Sequence, residues 1–201
     1  MKKIAIQLVI VLFWVNLGYS QSDASTGSNN NDFAGYKKKD FLQLTIQSGF
    51  INPVSPALTK YYFTSLNVGF DLSYRVNTEV ALYGEVRHNF LTAIDSIAPS
   101  SGYFETTFGA RYYMRLARGR SSLFFESGVG PYVFLGGSSN IPGQMYESKT
   151  RIRLGGNIGI GGELVITNRL FFTIKSKMNS IFDSNGSTTY ISGIGGFSIR
   201  L

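Results

Sequence analysis

The chain is short of charge: Asp, Glu, Lys and Arg make up 15% of its 201 residues, where about 25% is usual for a soluble domain. That is too little to clothe an ordinary solvated exterior. Cysteine is absent, which excludes disulfide frameworks, zinc ribbons, iron–sulfur ligation, thiol nucleophiles and a lipid anchor on an N-terminal cysteine. His88 is the single histidine, leaving little room for an imidazole-rich metal site, so neither a metal nor a cofactor is expected. After residue 20 no stretch reaches 18 consecutive apolar residues, so no transmembrane helix is expected there. The formal charge of +7 invites a nucleic-acid reading. Two of the lysines fall in a segment expected to be removed, leaving 17 basic against 12 acidic residues. Within the alternating segments the bases occur singly, so no nucleic-acid partner is expected.

Residues 1–20 carry Lys2 and Lys3, an apolar run from Ile4 to Val15 and a small-residue ending Gly18-Tyr19-Ser20. This is the order of a secretory signal peptide, with cleavage expected before Gln21. The apolar run is about a dozen residues, short of the ~20 that span a bilayer as a helix. The one tryptophan, Trp14, leaves with it. Residues 21–40 are rich in Ser, Asn, Gly and Asp with a lysine triplet, Lys37 to Lys39, the composition of a flexible linker.

From residue 41 to 201 the pattern has a period of two. In Leu66 to Val76, Leu66, Val68, Phe70, Leu72, Tyr74 and Val76 fall on one face, with Asn67, Gly69, Asp71, Ser73 and Arg75 on the other. The same division applies to Phe41–Phe50, Glu79–Leu91, Tyr103–Leu116, Ser122–Leu135, Arg151–Ile166, Leu170–Phe182 and Tyr190–Leu201, giving eight strands. Connections alternate in length. Asn77-Thr78, Ala117–Ser121 and Thr167–Arg169 are short, whereas Ile51–Ser65, Thr92–Gly102, Gly136–Thr150 and Asp183–Thr189 are long and polar. Short turns on one rim and long loops on the other mark a transmembrane β-barrel with periplasmic turns. The fold expected is all-β: an eight-stranded antiparallel up-and-down transmembrane β-barrel, with both termini on the short-turn side.

A soluble ligand-binding barrel of lipocalin type also alternates, with its apolar face inward. Charge separates the two. None of the 52 positions on the more apolar parity is Asp, Glu, Lys or Arg, and a lipid-facing charge near the midplane costs ~2–4 kcal/mol. The opposite parity is rich in Gly, Ser, Asn, Thr and Tyr and carries Asp71, Glu85, Glu105, Glu126 and Glu163 against Arg75, Arg87, Arg111, Arg115, Arg151, Arg153, Lys175, Lys177 and Arg200. Eight strands leave an interior just wide enough for side chains to fill. Buried charges must be paired, so an Arg–Glu network through the lumen is expected, with surplus bases near the ends in water.

Catalytic readings fare poorly. Gly155-Gly156-Asn157-Ile158-Gly159-Ile160-Gly161-Gly162 lies inside an alternating strand, opens no helix and lacks the Gly-Lys-Ser/Thr ending of a phosphate loop. No Ser–His–acid arrangement is readable around His88.

The signal peptide, strand count and rim asymmetry make residues 41–201 resemble the small outer-membrane β-barrels of the OmpA/OmpX-like, porin-like superfamily. In the C-terminal strand Phe197, Ile199 and Leu201 alternate to the last residue, similar to the assembly signal of that group, although its last residue is typically Phe rather than Leu. The resemblance implies Sec export, periplasmic chaperones, the barrel-assembly machinery and insertion into a Gram-negative outer membrane, among outer-membrane lipid and lipopolysaccharide, as a monomer. No peptidoglycan-binding domain is expected after the barrel. Barrel deacylases of lipid A pair their histidine with a serine two residues on; here that position is Phe90, so no enzyme is expected.

The expected role is non-enzymatic, in envelope integrity or in surface contact through four extracellular loops. Tyr61, Tyr62 and Phe63 in the first loop and Tyr146, beside Met145, in the third are the candidate contact residues. One alternative is a narrow channel, or a transporter passing small hydrophobic or anionic molecules with lateral exit, for which Pro131 on the outward face would mark a gap. The other is the soluble ligand-binding barrel.

Overall fold

The computed structural model describes residues 41–94, 101–116, 121–136, 139–141, 144–146, 150–183 and 186–201. Eight long strands carry the fold: β1 (Phe41–Pro53), β2 (Ser65–Arg75), β3 (Val80–Leu91), β4 (Ser101–Arg115), β5 (Ser121–Leu135), β8 (Thr150–Val165), β9 (Leu170–Asp183) and β10 (Gly186–Arg200). Two short strands, β6 (Ser139–Ile141) and β7 (Gln144–Tyr146), form a hairpin between β5 and β8, and one helical turn, α1 (Pro56–Thr59), lies between β1 and β2. The long strands close in the order β1-β10-β9-β8-β5-β4-β3-β2, each antiparallel to its neighbours, with β1 sealing against β2 and β10.

Local chemistry sets two of the tight connections. The Asn77 side-chain oxygen accepts hydrogen bonds from the amides of Glu79 (2.8 Å) and Val80 (2.7 Å), pinning the β2–β3 turn. Thr167 Oγ1 does the same for Leu170 (3.0 Å) between β8 and β9.

Alternation sorts the side chains as the pattern requires. Leu66 is 69% exposed, Phe108 62% and Leu154 70%, all on the outer wall, while Asn67, Asp71, Ser73 and Arg75 of β2 are buried inside. Apolar outside and polar inside is the reverse of a soluble ligand-binding barrel. Glycines tighten the wall where strands close in. A Cβ on Gly109 would lie 2.0 Å from the Ser127 carbonyl oxygen, so no other residue fits there without moving backbone.

Two elements differ from expectation at their ends. β1 continues to Pro53, and β10 begins at Gly186, where the sequence reads as loop. Gly186 to Thr189 pair with Asp183 to Ser180 of β9, so most of the fourth long connection is a hairpin rather than a loop. Its Gly-Ser-Thr-Thr composition carries no alternation that would reveal it, and Gly186 takes φ 137°, a conformation natural to glycine.

Candidate functional site

The lumen is filled by a chain of ion pairs. At the short-turn end, Arg75 Nη2 lies 3.1 Å from Glu163 Oε1, and Gln43 Nε2 donates to Glu163 Oε2 at 2.8 Å. Higher up, Arg111 grips Asp71 through both terminal nitrogens and donates through Nε to Glu126 at 2.7 Å. Lys175 Nζ reaches Glu85 at 2.7 Å and Glu126 at 3.4 Å; Lys177 Nζ reaches Glu85 at 3.1 Å and Glu105 at 2.8 Å. Arg87 also pairs with Glu85. Tyr190 donates to Glu105 at 3.0 Å, and aromatic rings lie under the guanidinium groups, Tyr113 at 3.6 Å from Arg75 and Tyr83 at 4.4 Å from Arg111.

Among the described residues, ten charged side chains are buried: Asp71, Glu85, Glu105, Glu126 and Glu163 with Arg75, Arg87, Arg111, Lys175 and Lys177. Five acids therefore meet five bases, and the buried interior is neutral although the inward parity as a whole is basic. Arg151 and Arg153, grouped with the lumen charges in the sequence, do not join this chain. Arg151 is exposed, and Arg153 bridges to Asp183 at 2.9 Å across a half-exposed rim. The reason is register. The β8–β9 ladder ends at Gly155↔Ile181, so both arginines stand above the closed wall, where water reaches them.

An apolar layer closes the long-loop end. Ile51, Leu58, Leu91, Tyr103, Tyr132, Ile181 and Tyr190 pack together, with Tyr62 and Phe134 against them. Leu58 comes from α1, which is held over the mouth by hydrogen bonds from the Val54 and Ser55 amides to the Thr189 carbonyl, both 3.1 Å. The sequence reading missed this lid, since Leu58 falls in a connection without alternation that reads as loop. Ser55-Pro56, a helix-start pair with proline at the first helical position, is the signal that marks it.

The candidate loop residues separate. Tyr61 and Phe63 are exposed, but Tyr62 turns into the lid and donates to Ser101 Oγ at 3.2 Å. This corrects its assignment as a contact residue. The cause is a bulge: Tyr62 bridges Ala93, whereas the regular β2–β3 ladder stops at Asn67↔Asn89, leaving one more residue on the β2 side. The Tyr146 side chain lies outside the described residues. Phe197, Ile199 and Leu201 all face outward, with the Phe197 ring 5.4 Å from that of Phe172.

Pro131 interrupts one ladder without opening the wall. Between the rungs Glu105↔Tyr132 and Phe108↔Val129, Thr106 and Thr107 have no rung to β5, as expected where proline lacks an N–H. Yet a Cβ on Gly130 would lie 2.0 Å from the Thr106 carbonyl, and β5 pairs with β8 straight through Pro131↔Leu154. The strands stay in contact, so the expected gap is a missing hydrogen bond.

His88 lies on the outer face against the Phe90 ring, centroids 4.4 Å apart. Among the described residues no group of three His, Cys, Asp or Glu side chains is placed to hold a metal ion.

Comparison with known proteins places this architecture. No family model matches the chain, and no curated protein matches it. Solved structures do. Neisserial surface protein A is similar over 80% of this chain and 97% of its own, at 9% identity and a TM-score of 0.63. The N-terminal β-barrel domain of Pseudomonas aeruginosa OprF covers 81% and 98%, at 12% identity and 0.55. Ail, the attachment invasion locus protein of Yersinia pestis, covers 82% and 100%, at 16% identity and 0.52. At these identities the likeness is one of fold, and the fold is that of the small OmpA/OmpX-like barrels.

Proposed function

We propose that the chain is a non-enzymatic outer-membrane β-barrel protein whose sealed barrel serves as an anchor, and that its role, in envelope integrity or surface contact, is carried by the long-loop end. The observation that carries this is the filled lumen. Ten buried charges in mutual contact, topped by an apolar lid, leave the interior to structure. What remains for function is the outer wall and the rim. At the rim, β8 residues Thr150 to Leu154 pair with β5 on one side and, among the described residues, have no ladder rung to β9 on the other, where Arg153 reaches Asp183 by its side chain alone, and Tyr61 and Phe63 are exposed. An incompletely paired edge and exposed aromatics are the usual means of protein contact.

The test is reconstitution. Outer-membrane enrichment with heat-modifiable gel mobility, together with no steady current in planar bilayers, is the expected outcome. Recovery in the soluble periplasm overturns the membrane assignment. Steady anion-selective current overturns the sealed lumen in favour of a narrow channel.

One observation favours passage of small hydrophobic molecules instead: the layer that closes the barrel at the long-loop end includes Ile51, Leu58, Leu91 and Ile181. Beneath it lies the ion-pair chain, so such a molecule must leave sideways. Uptake of a hydrophobic dye into vesicles containing the protein, above that of protein-free vesicles, is what that reading requires.

A further inference from the structure

Two hairpins separate at the long-loop rim. The β8–β9 ladder ends at Gly155↔Ile181, yet both strands run on. Leu154 to Thr150 of β8 continue against Pro131 to Leu135 of β5, while Phe182 and Asp183 of β9 continue against Ser187 and Gly186 of β10. The wall therefore forks above Gly155 and Ile181, with the β5–β8 hairpin on one side and the β9–β10 hairpin on the other. Main-chain groups alternate in direction along a strand, so about half of those in Thr150–Leu154 face the fork. Among the described residues they have no ladder rung on that side. Arg153 crosses the fork by its side chain, with Nη2 2.9 Å from Asp183 Oδ1.

The two lips select what fits between them. Ile152 and Leu154 are 68% and 70% exposed on the outward face of β8, while Arg151 and Arg153 keep the inward parity outside the buried ion-pair chain. Hydrocarbon does not suit the fork, because an open row of amides and carbonyls finds no hydrogen-bond partner in lipid. A second copy of the chain does not suit it either. Antiparallel pairing of two β8 edges centred on Arg151, Ile152 or Arg153 sets arginine opposite arginine, and like charges directly opposite are destabilising. On the two lips these arginines meet one acid, Asp183, which leaves the fork one positive charge in excess. Its complement is a strand with one apolar face and one acidic face.

We infer that the fork between the β5–β8 and β9–β10 hairpins is a docking site for an extended segment of another protein, which adds as a strand to Thr150–Leu154 with acidic side chains on Arg151 and Arg153 and apolar ones beside Ile152 and Leu154. Main-chain hydrogen bonds to the β8 edge hold the segment, and the alternation of its side chains sets which segments are accepted. An incoming carboxylate takes Arg153 from Asp183, so the side-chain bridge across the fork is exchanged rather than lost. The inference rests on the long-loop end being a contact surface, and names the partner that one part of it takes.

The experiment uses the folded full-length barrel in detergent micelles and a short peptide alternating Glu and Val as the probe. At saturating peptide, hydrogen exchange of alternate amides in Thr150–Leu154 should slow about tenfold. Arg151→Gln and Arg153→Gln, both at the exposed rim and checked for retained heat-modifiable mobility, should each weaken binding about fivefold. A peptide alternating Lys and Val should not bind, and the Glu–Val peptide N-methylated on alternate residues should lose its affinity. Equal binding of the Lys–Val or the N-methylated peptide overturns the inference, because charge or main-chain pairing is then not what holds the segment. Protection of Thr150–Leu154 that rises with protein concentration alone overturns it in favour of a second copy. Peptide binding that perturbs Tyr61 and Phe63 but not Thr150–Leu154 sinks this site while the long-loop end remains the contact surface. Recovery from the soluble periplasm in the reconstitution above sinks that broader reading as well.

Discussion

Glu85 shows what burial demands of a single side chain. It faces Arg87, Lys175 and Lys177, three cations from two strands, with no water between. Removing one partner of a buried pair typically costs about 3–5 kcal/mol because the other charge stays behind. Glu85→Ala should accordingly lower the unfolding temperature in detergent more than Glu126→Ala or Glu105→Ala, and all three should fall below the parent. Unchanged melting of Glu105→Ala and Glu126→Ala would mean the ion pairs carry no stability. Glycine provides a second contrast. Gly109→Ala drives a methyl into the Ser127 carbonyl, whereas around Gly195 nothing lies within 4 Å of the new methyl. We expect the first to cost about 1–3 kcal/mol in a denaturant titration and the second to stay within about 0.5 kcal/mol. Parity puts Gly109 on the inward face of β4 and Gly195 on the outward face of β10. How closely the neighbouring strand approaches each of them is set by tertiary closure, which parity does not report.

At the level of elements, the strands were legible because the two sides of the wall have opposite chemistry, so a period of two persists wherever both sides are in force. The pattern fails where that contrast ends. Above the wall, Gly186–Thr189 is polar on both faces and reads as loop, and below the lid Tyr62 breaks parity because of one extra residue. Arg151 and Arg153 keep the inward parity yet miss the buried chain, since parity fixes which side a residue faces and is silent on how far the neighbouring strand extends. Pro131 was legible as a break, but its consequence was not. Pro131→Ala restores an N–H opposite Thr106; we expect slow exchange of the new amide and a stability gain of about 1 kcal/mol. Fast exchange at that amide would show the two strands to be separated there for a reason other than proline.

For the whole molecule, the deficit of charge becomes a matter of location. The described strands keep charge off the outer wall and gather ten charges inside in equal numbers, with Arg115, Arg151, Arg153 and Arg200 outside the buried set. The partners also come from distant parts of the chain. Asp71, Glu85, Glu105 and Glu126 stand on β2 to β5 with Arg75, Arg87 and Arg111, while Glu163, Lys175 and Lys177 arrive on β8 and β9. The first half of the barrel thus carries one unmatched negative charge and the second half one unmatched positive charge. A half-built sheet would present that imbalance to the bilayer interior, which makes the partial structure unfavourable and the completed one self-neutralising. Chain completion and insertion should therefore be a single event. A chain ending before β9 should be lost to proteolysis rather than accumulate in the membrane, and the interior acts as a checksum on the chain, satisfied only when β2 to β5, β8 and β9 have all arrived in register.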